Sequence, residues 1–260
     1  MAVYLTHFLQ KNPFNANLNT SEMNEDTAKE KFNEQAGNKP SVQDLKELAS
    51  QLGKPEGEKG IQIGHMMNET NNSMIIKTLE HLSLRDNDRI LELGHGNANH
   101  LQELLNSADN LQYSGIDISE LMKQEAEKYT IENGLDKSAD FQLYDGTNIP
   151  FADNSFDKIF TINTIYFWQQ PVELLNELNR VLKPEGILCI TLVDEESMSR
   201  LPFTEYGFTK YTDQLFKALV EKAVLKLATM KPFSEMIKSK LLGEMERKFW
   251  VMELSKNAIG

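Results

Sequence analysis

The chain has one cysteine, Cys189, in 260 residues. No internal disulfide can form, so nothing ties the fold to an oxidising compartment. Cys189 falls in the apolar run 187–192 and is expected to be a buried core thiol. No apolar run approaches the roughly 20 residues a membrane helix needs. The first ten residues have neither a cationic start nor a small-residue cleavage site. A cytoplasmic protein is expected. Basic residues are also scarce: 27 Lys and Arg stand against 39 Asp and Glu, a net charge of −12. That balance argues against a phosphate-backbone partner, since neutralising phosphates needs local cation density. The only modestly basic stretch is 238–248.

What is present is an alternation of short apolar runs with amphipathic segments. Strands are expected at 89–93, 112–116, 139–143, 156–161 and 186–192, with helices at 98–105, 120–133 and 171–182 between them. The last carries Leu174, Leu175, Leu178, Val181 and Leu182 on one stripe, with Pro171 in its first turn. Such alternation predicts an α/β fold built on a mostly parallel sheet with helices on both faces. Towards the end, 212–222 reads as helix, 223–230 as strand, 234–242 as short helix and 248–254 as a final, antiparallel strand. Ahead of the core, 11–40 has no sustained periodicity. Ser41 opens a helix with Asp44 as capping partner and Gly53 with Pro55 as its stop. Residues 57–64 read as a flexible connection and 73–82 as a helix into the core. A boundary near 60 separates an N-terminal lid segment (1–60) from the main domain (61–260).

The chemistry concentrates at 90–98, Ile-Leu-Glu-Leu-Gly-His-Gly-Asn-Ala. An apolar strand runs into two glycines one residue apart, where backbone can approach a ligand. Asp117 follows Gly94 by 23 positions, close to the spacing of a ribose-binding acid. A dinucleotide fits poorly. The third glycine of its fingerprint would fall at Asn99, and Glu92 would repel a pyrophosphate. A phosphate-free, cationic adenosine ligand meets neither obstacle.

The stretch with Glu92, Gly94, His95, Gly96 and Ala98 resembles the first motif of class I S-adenosylmethionine-dependent methyltransferases. The resemblance continues through Gly115-Ile-Asp117-Ile-Ser, through 143–157 with Asp145, Gly146, Pro150, Phe156 and Asp157, and through Arg180 to Gly186. Ala98 and Glu185 stand where the family usually has glycine. The resemblance implies a Rossmann-like, seven-stranded, mostly parallel sheet whose last strand is antiparallel, with S-adenosylmethionine as cofactor. By it, Gly94, His95 and Gly96 hold the methionine part through their backbone, and Glu92 orients the turn. Asp117 takes both ribose hydroxyls, Ile118 packs on the adenine, and Asp145 with Gly146 meets its polar edge. Residues 161–163, ending in Asn163, close the pocket near the sulfonium.

The aromatics Tyr166, Phe167 and Trp168 suggest an apolar wall beside the methyl donor. Residues 64–72 are expected to fold over the cofactor, the alternative being that Asn72 or Ser73 caps a helix. Methyl transfer mainly needs alignment and exclusion of water. Where a base is required, Tyr166 and His65 are the candidates. His95 and His100 lack the companions of a metal site, and no metal is expected. The expected function is methyl transfer to an unidentified, small-molecule acceptor. A non-catalytic S-adenosylmethionine-binding protein and a protein methyltransferase are the alternatives. Oligomeric state is left open.

Overall fold

A computed structural model describes residues 40–239 and 243–256. It begins with helix α1 (Val42–Gly53), whose capping box is as expected. The Ser41 hydroxyl accepts from the Asp44 N–H at 3.2 Å, and the Asp44 carboxylate accepts from the Ser41 N–H at 2.9 Å. The region before residue 40 lies outside the described residues.

Helix α2 spans Gly57–Leu82, which corrects the flexible connection expected at 57–64. Glycine costs a helix about 1 kcal/mol relative to alanine, and the packing supplies the reason for tolerating it. Gly60 and Gly64 lie four residues apart, on one face. A Cβ on Gly60 would stand 2.7 Å from Leu121 and 2.9 Å from the Pro55 carbonyl carbon, and one on Gly64 would stand 3.0 Å from the Met122 sulfur. Their absent side chains let α2 approach α4 closely. The helix expected at 73–82 is the end of this longer one.

The alternating core follows: β1 (Arg89–Leu93), α3 (Leu101–Leu105), β2 (Gln112–Asp117), α4 (Glu120–Glu132), β3 (Ala139–Leu143), β4 (Phe156–Ile162), α5 (Pro171–Val181) and β5 (Leu182–Val193). After α6 (Glu195–Ser199) and α7 (Asp213–Glu221) come β6 (Leu225–Ser239) and β7 (Gly243–Lys256). The strand order is β3-β2-β1-β4-β5-β7-β6. Neighbours up to β5 pair in parallel, and β7 is antiparallel to both β5 and β6. The expected sheet, including its antiparallel last strand, is present.

Two of the boundary differences from the sequence reading have a clear physical cause. Helix α3 is short because Ala98 has φ +52°, a left-handed conformation that a right-handed helix cannot include. The short helix expected at 234–242 is instead the outer part of β6. Ser234, Met236 and Lys238 pair with Lys248, Glu246 and Glu244 of β7, and residues 240–242 lie outside the described residues. Pro232 interrupts the run between the two expected elements. In the fold it sits in the edge strand, where a missing N–H costs the sheet little.

The core fills both faces of the sheet. Leu174, Leu175, Leu178 and Val181 of α5 are fully buried, as their stripe predicts, and Cys189 is equally enclosed. Burial pushes the Cys189 thiol pKa well up, which makes it an inert core group.

Candidate cofactor and acceptor site

The strand order reverses between β1 and β4, and ligands of open α/β sheets bind beyond the carboxyl ends of strands at such a point. A cavity of about 930 Å³ lies there. It reaches from the end of β3, at Leu143 to Gly146, to the end of β4, at Ile162 to Thr164. Three strand spacings separate those ends, about 14 Å.

The turn after β1 forms the floor. Gly94 has φ +76°, and a Cβ there would lie 2.4 Å from the Thr164 methyl. Glycine is therefore required on both conformational and steric grounds. The Gly94 N–H donates to the Ile116 carbonyl at 2.7 Å, which ties the turn to β2. Gly96 also has positive φ, and a Cβ on it would meet nothing within 4 Å. Its N–H donates to Asp117 at 3.2 Å, and the other Asp117 oxygen accepts from the Ser119 N–H at 2.8 Å. Each oxygen keeps acceptor capacity. Burial raises the Asp117 pKa, against the opposing pull of His95 and of those two N–H groups.

Glu92 is buried below the turn, where its carboxylate accepts from His100 at 2.8 Å and from the Tyr113 hydroxyl at 2.5 Å. Burial alone would lower the His100 pKa, but Glu92 outweighs it and the net shift is upward. Glu92 thus has a buried partner of its own. This pairing was missed in sequence because the two residues sit eight positions apart, across the turn.

His95 is 3% exposed. Its Nδ1 donates to the Gly96 carbonyl at 2.7 Å, and burial lowers its pKa against the pull of Asp117 and Glu92. The ring is consequently neutral, and Nε2 is a bare acceptor with no partner among the described residues, as is the donor Nδ2 of Asn97. Room for the ring comes from Gly115, where a Cβ would fall 2.7 Å from it.

Asp145 is exposed at the far end of the cavity. It accepts from the Asn148 amide and from the N–H groups of Asn148 and Thr147 at 2.7–2.8 Å. These bonds, led by the Asn148 side chain, hold its pKa below the usual carboxylate range. Ile118 and Gly146 line the cavity beside it. Asn163, in a left-handed conformation at φ +59°, donates to Asn71 of α2 at 3.0 Å and accepts from the Tyr166 hydroxyl at 2.8 Å.

Neither proton-accepting candidate reaches the cavity, which corrects both expectations. The Tyr166 hydroxyl is buried, accepts from the Val193 N–H at 2.6 Å, and has its pKa pushed far up by burial. His65 sits on the exposed face of α2 and is not among the lining residues. Its neighbours Gly64, Met67, Asn68 and Asn71 do line the cavity, so 64–72 forms a helical wall beside it.

The opposite wall comes from the segment expected as a lid, though none of its residues was singled out in sequence as a ligand contact. Lys46, Ala49, Ser50 and Gly53 line the cavity, and their i, i+3, i+4, i+7 spacing places them on one face of α1. Leu48 packs the other way, in a cluster with Ile63, Met66, Met67 and Phe203, while Leu52 touches that cluster and also lines the cavity. The small residues on the cavity face carry no hydrophobic signal. Tyr206 and Gly207, from a stretch with no clear pattern, complete that end with Phe167 and Trp168.

A family profile described as a methyltransferase domain matches residues 91–190. Residues 91–190 therefore form a methyltransferase domain, in keeping with the S-adenosylmethionine-dependent class that the motifs resemble. The chain is similar to an uncharacterised methyltransferase, YdaC, of Bacillus subtilis (strain 168), at 26% identity over 52% of this chain and 72% of that protein. It is also similar to a tRNA U34 carboxymethyltransferase of Nautilia profundicola, at 27% identity over 61% of this chain. There it spans about half of the relative's length, 52%. Among solved structures, a SAM-dependent methyltransferase from Aquifex aeolicus superposes with a TM-score of 0.54 at 23% identity, covering 69% of this chain and 88% of that one. That likeness shows the fold. The cofactor of the class is S-adenosylmethionine, and the site suits it. The open space over Gly96, the unpartnered buried polar atoms of His95 and Asn97, and the spare acceptor capacity of Asp117 are what a phosphate-free adenosine ligand would use.

Proposed function

We propose that the protein is a cytoplasmic enzyme that transfers the methyl group of S-adenosylmethionine to a small-molecule acceptor. The observation that carries the reading is the position of Asp117, fixed at the carboxyl end of β2 by two backbone N–H groups, over a glycine turn that leaves open space. When bound there, S-adenosylmethionine would supply an activated methyl group, passed to an acceptor lone pair as its carbon–sulfur bond breaks. The chain's part is to hold and align. Gly94, His95 and Gly96 present backbone to the methionine end, and the Glu92 carboxylate beneath them favours a cationic ligand. Asp117 accepts both ribose hydroxyls, and Ile118 packs on the adenine. Asp145 and Gly146 meet its polar edge, with Asp145 kept ionised by its own turn. Asn163, braced by Asn71 and Tyr166, fixes the wall beside the methyl group.

A small acceptor is favoured because the cavity is walled by α1, α2 and the aromatic segment, and because the net charge of −12 opposes a polyanion. No proton acceptor is evident where Tyr166 and His65 were expected, so the acceptor must be nucleophilic without help from either. Calorimetry with S-adenosylhomocysteine tests the cofactor assignment. Asp117→Ala is expected to weaken binding by at least about tenfold, the worth of one charge-assisted hydrogen bond. Undiminished affinity in that variant would sink the ribose assignment. A labelled-methyl screen over metabolite, protein and tRNA pools separates a small-molecule enzyme from the other acceptor classes. No transfer to any pool would leave a binding protein.

A further inference from the structure

The cavity is larger than its cofactor half, and its charges are segregated. Its carboxylates, Glu92, Asp117 and Asp145, all stand at the ends of β1, β2 and β3. The end formed by α1, Phe167, Trp168 and Tyr206 has no carboxylate on its lining, although acids outnumber bases by 39 to 27 in the chain. It has Lys46 and, just past α1, Lys54, which is paired with Glu56 at 3.2 Å. No carboxylate lies within ion-pair distance of the Lys46 ammonium among the described residues, and the group stands 5.7 Å over the Tyr206 ring. Its sequence neighbour Glu47 is occupied by Lys59. On the same helix face, Ala49 and Gly53 leave the space between Lys46 and the aromatics unfilled. A Cβ on Gly53 would already touch the Phe167 ring at 3.1 Å.

We propose that the methyl acceptor is a small molecule with a flat apolar body and an anionic group, the body seated against Phe167 and Trp168 and the anion met by Lys46. This rests on the methyltransferase reading of the site. An apolar wall with one directed cation is the usual form of a site that orients an amphipathic anion. The Asp117 and Asp145 carboxylates at the far end reinforce the orientation, Glu92 being paired with His100. They repel the anionic group towards Lys46 and leave the opposite end of the acceptor facing Thr164 and Asn163, beside the methyl donor. Lys46 is therefore a positioning residue that tethers the acceptor, and it takes no part in bond making.

A matched series tests the idea: 2-naphthoate, 2-naphthylmethanol and 2-naphthylmethylamine, each titrated into full-length protein saturated with S-adenosylhomocysteine. The first titration, of S-adenosylhomocysteine alone, checks the underlying reading, and absence of binding there would overturn both. Given that binding, naphthoate is expected to bind about fivefold or more tighter than the alcohol, the upper range for an exposed ion pair, with the amine weakest. Lys46→Arg should keep the preference, Lys46→Ala should erase it, and Lys46→Glu should reverse it towards the amine. Lys46 is exposed, so these variants are expected to fold, and unchanged melting temperatures and S-adenosylhomocysteine affinity would verify that. Equal binding of the three probes, or an anion preference surviving in Lys46→Glu, would overturn the proposal while leaving the methyltransferase reading intact.

Discussion

Asp117 is held where burial favours its protonated form, and its proposed task needs the charged one. In the folded chain its pKa lies above the ordinary value of 3.8, with desolvation as the largest cause. The sign follows from linkage. Between the unfolded and the raised folded pKa the native state binds the extra proton, so this contribution to stability is complete below the unfolded pKa and is lost as pH rises through the folded one. Ligand binding runs the other way. The carboxylate is the acceptor form, so S-adenosylhomocysteine affinity is expected to be full near neutral pH. It should fall on acidification at a pH higher than an unperturbed carboxylate, near 4, would give. Affinity measured against pH, with Asp117→Asn as a weak and flatter control, checks this. An unchanged profile in that variant would assign the titration to another group. The meeting of Gly94, Gly96 and Asp117 at one turn was legible in sequence because paired glycines and an acid at the end of an apolar run mark it. The partner of Glu92 was not, because nothing in the sequence links position 92 to position 100.

Glycine at the level of the helix was misread for a physical reason. Gly57, Gly60 and Gly64 look like breakers when only propensity is counted, yet Gly60 and Gly64 set the distance between α2 and α4. Gly60→Ala raises helix propensity and is nevertheless expected to destabilise the protein by about 1–3 kcal/mol. The added carbon would meet the Pro55 backbone, which cannot rotate aside. Urea unfolding of the variant reads this, and a gain in stability would show that the α2–α4 approach is not tight. Helix α5 was legible because its leucines repeat with the helical period and one whole stripe is buried. The outer half of β6 was not. Its pattern lacks clean alternation, and what fixes it is cross-strand pairing, including Glu235 opposite Arg247.

At the scale of the whole molecule, the β6–β7 hairpin runs on beyond the last β5 pairing, Val193 with Phe249, and bears on α2. Arg247 is 6% exposed and spans this junction. It donates to Glu235 at 2.9 Å through Nε and to the Thr70 carbonyl at 2.6 Å through Nη2, while Ser73 donates to the same Glu235 carboxylate. Thr70 adjoins Asn71, the residue that meets Asn163 on the cavity wall. Arg247→Ala is expected to cost about 3 kcal/mol by stranding Glu235. It should also weaken S-adenosylhomocysteine binding although Arg247 does not line the cavity. A melting-temperature loss with unaltered affinity would show that the clasp is structural only. The mostly parallel sheet was readable from alternation, whereas this clasp joins residues 177 positions apart and leaves no local pattern.

The same clasp has a consequence for the order of assembly. Helix α2 precedes all seven strands along the chain, but its side chains are fixed by strands late in the sequence. Thr78 bonds Thr191 of β5 at 2.6 Å, His81 meets Glu253 of β7 at 2.5 Å, and Thr70 waits for Arg247. During synthesis the glycine turn and Asp117 emerge long before the strands that seat Met67, Asn68 and Asn71 beside them. A nascent or truncated chain can thus possess every cofactor motif and still lack a finished wall, and competence for the ligand arrives only when the C-terminal hairpin docks.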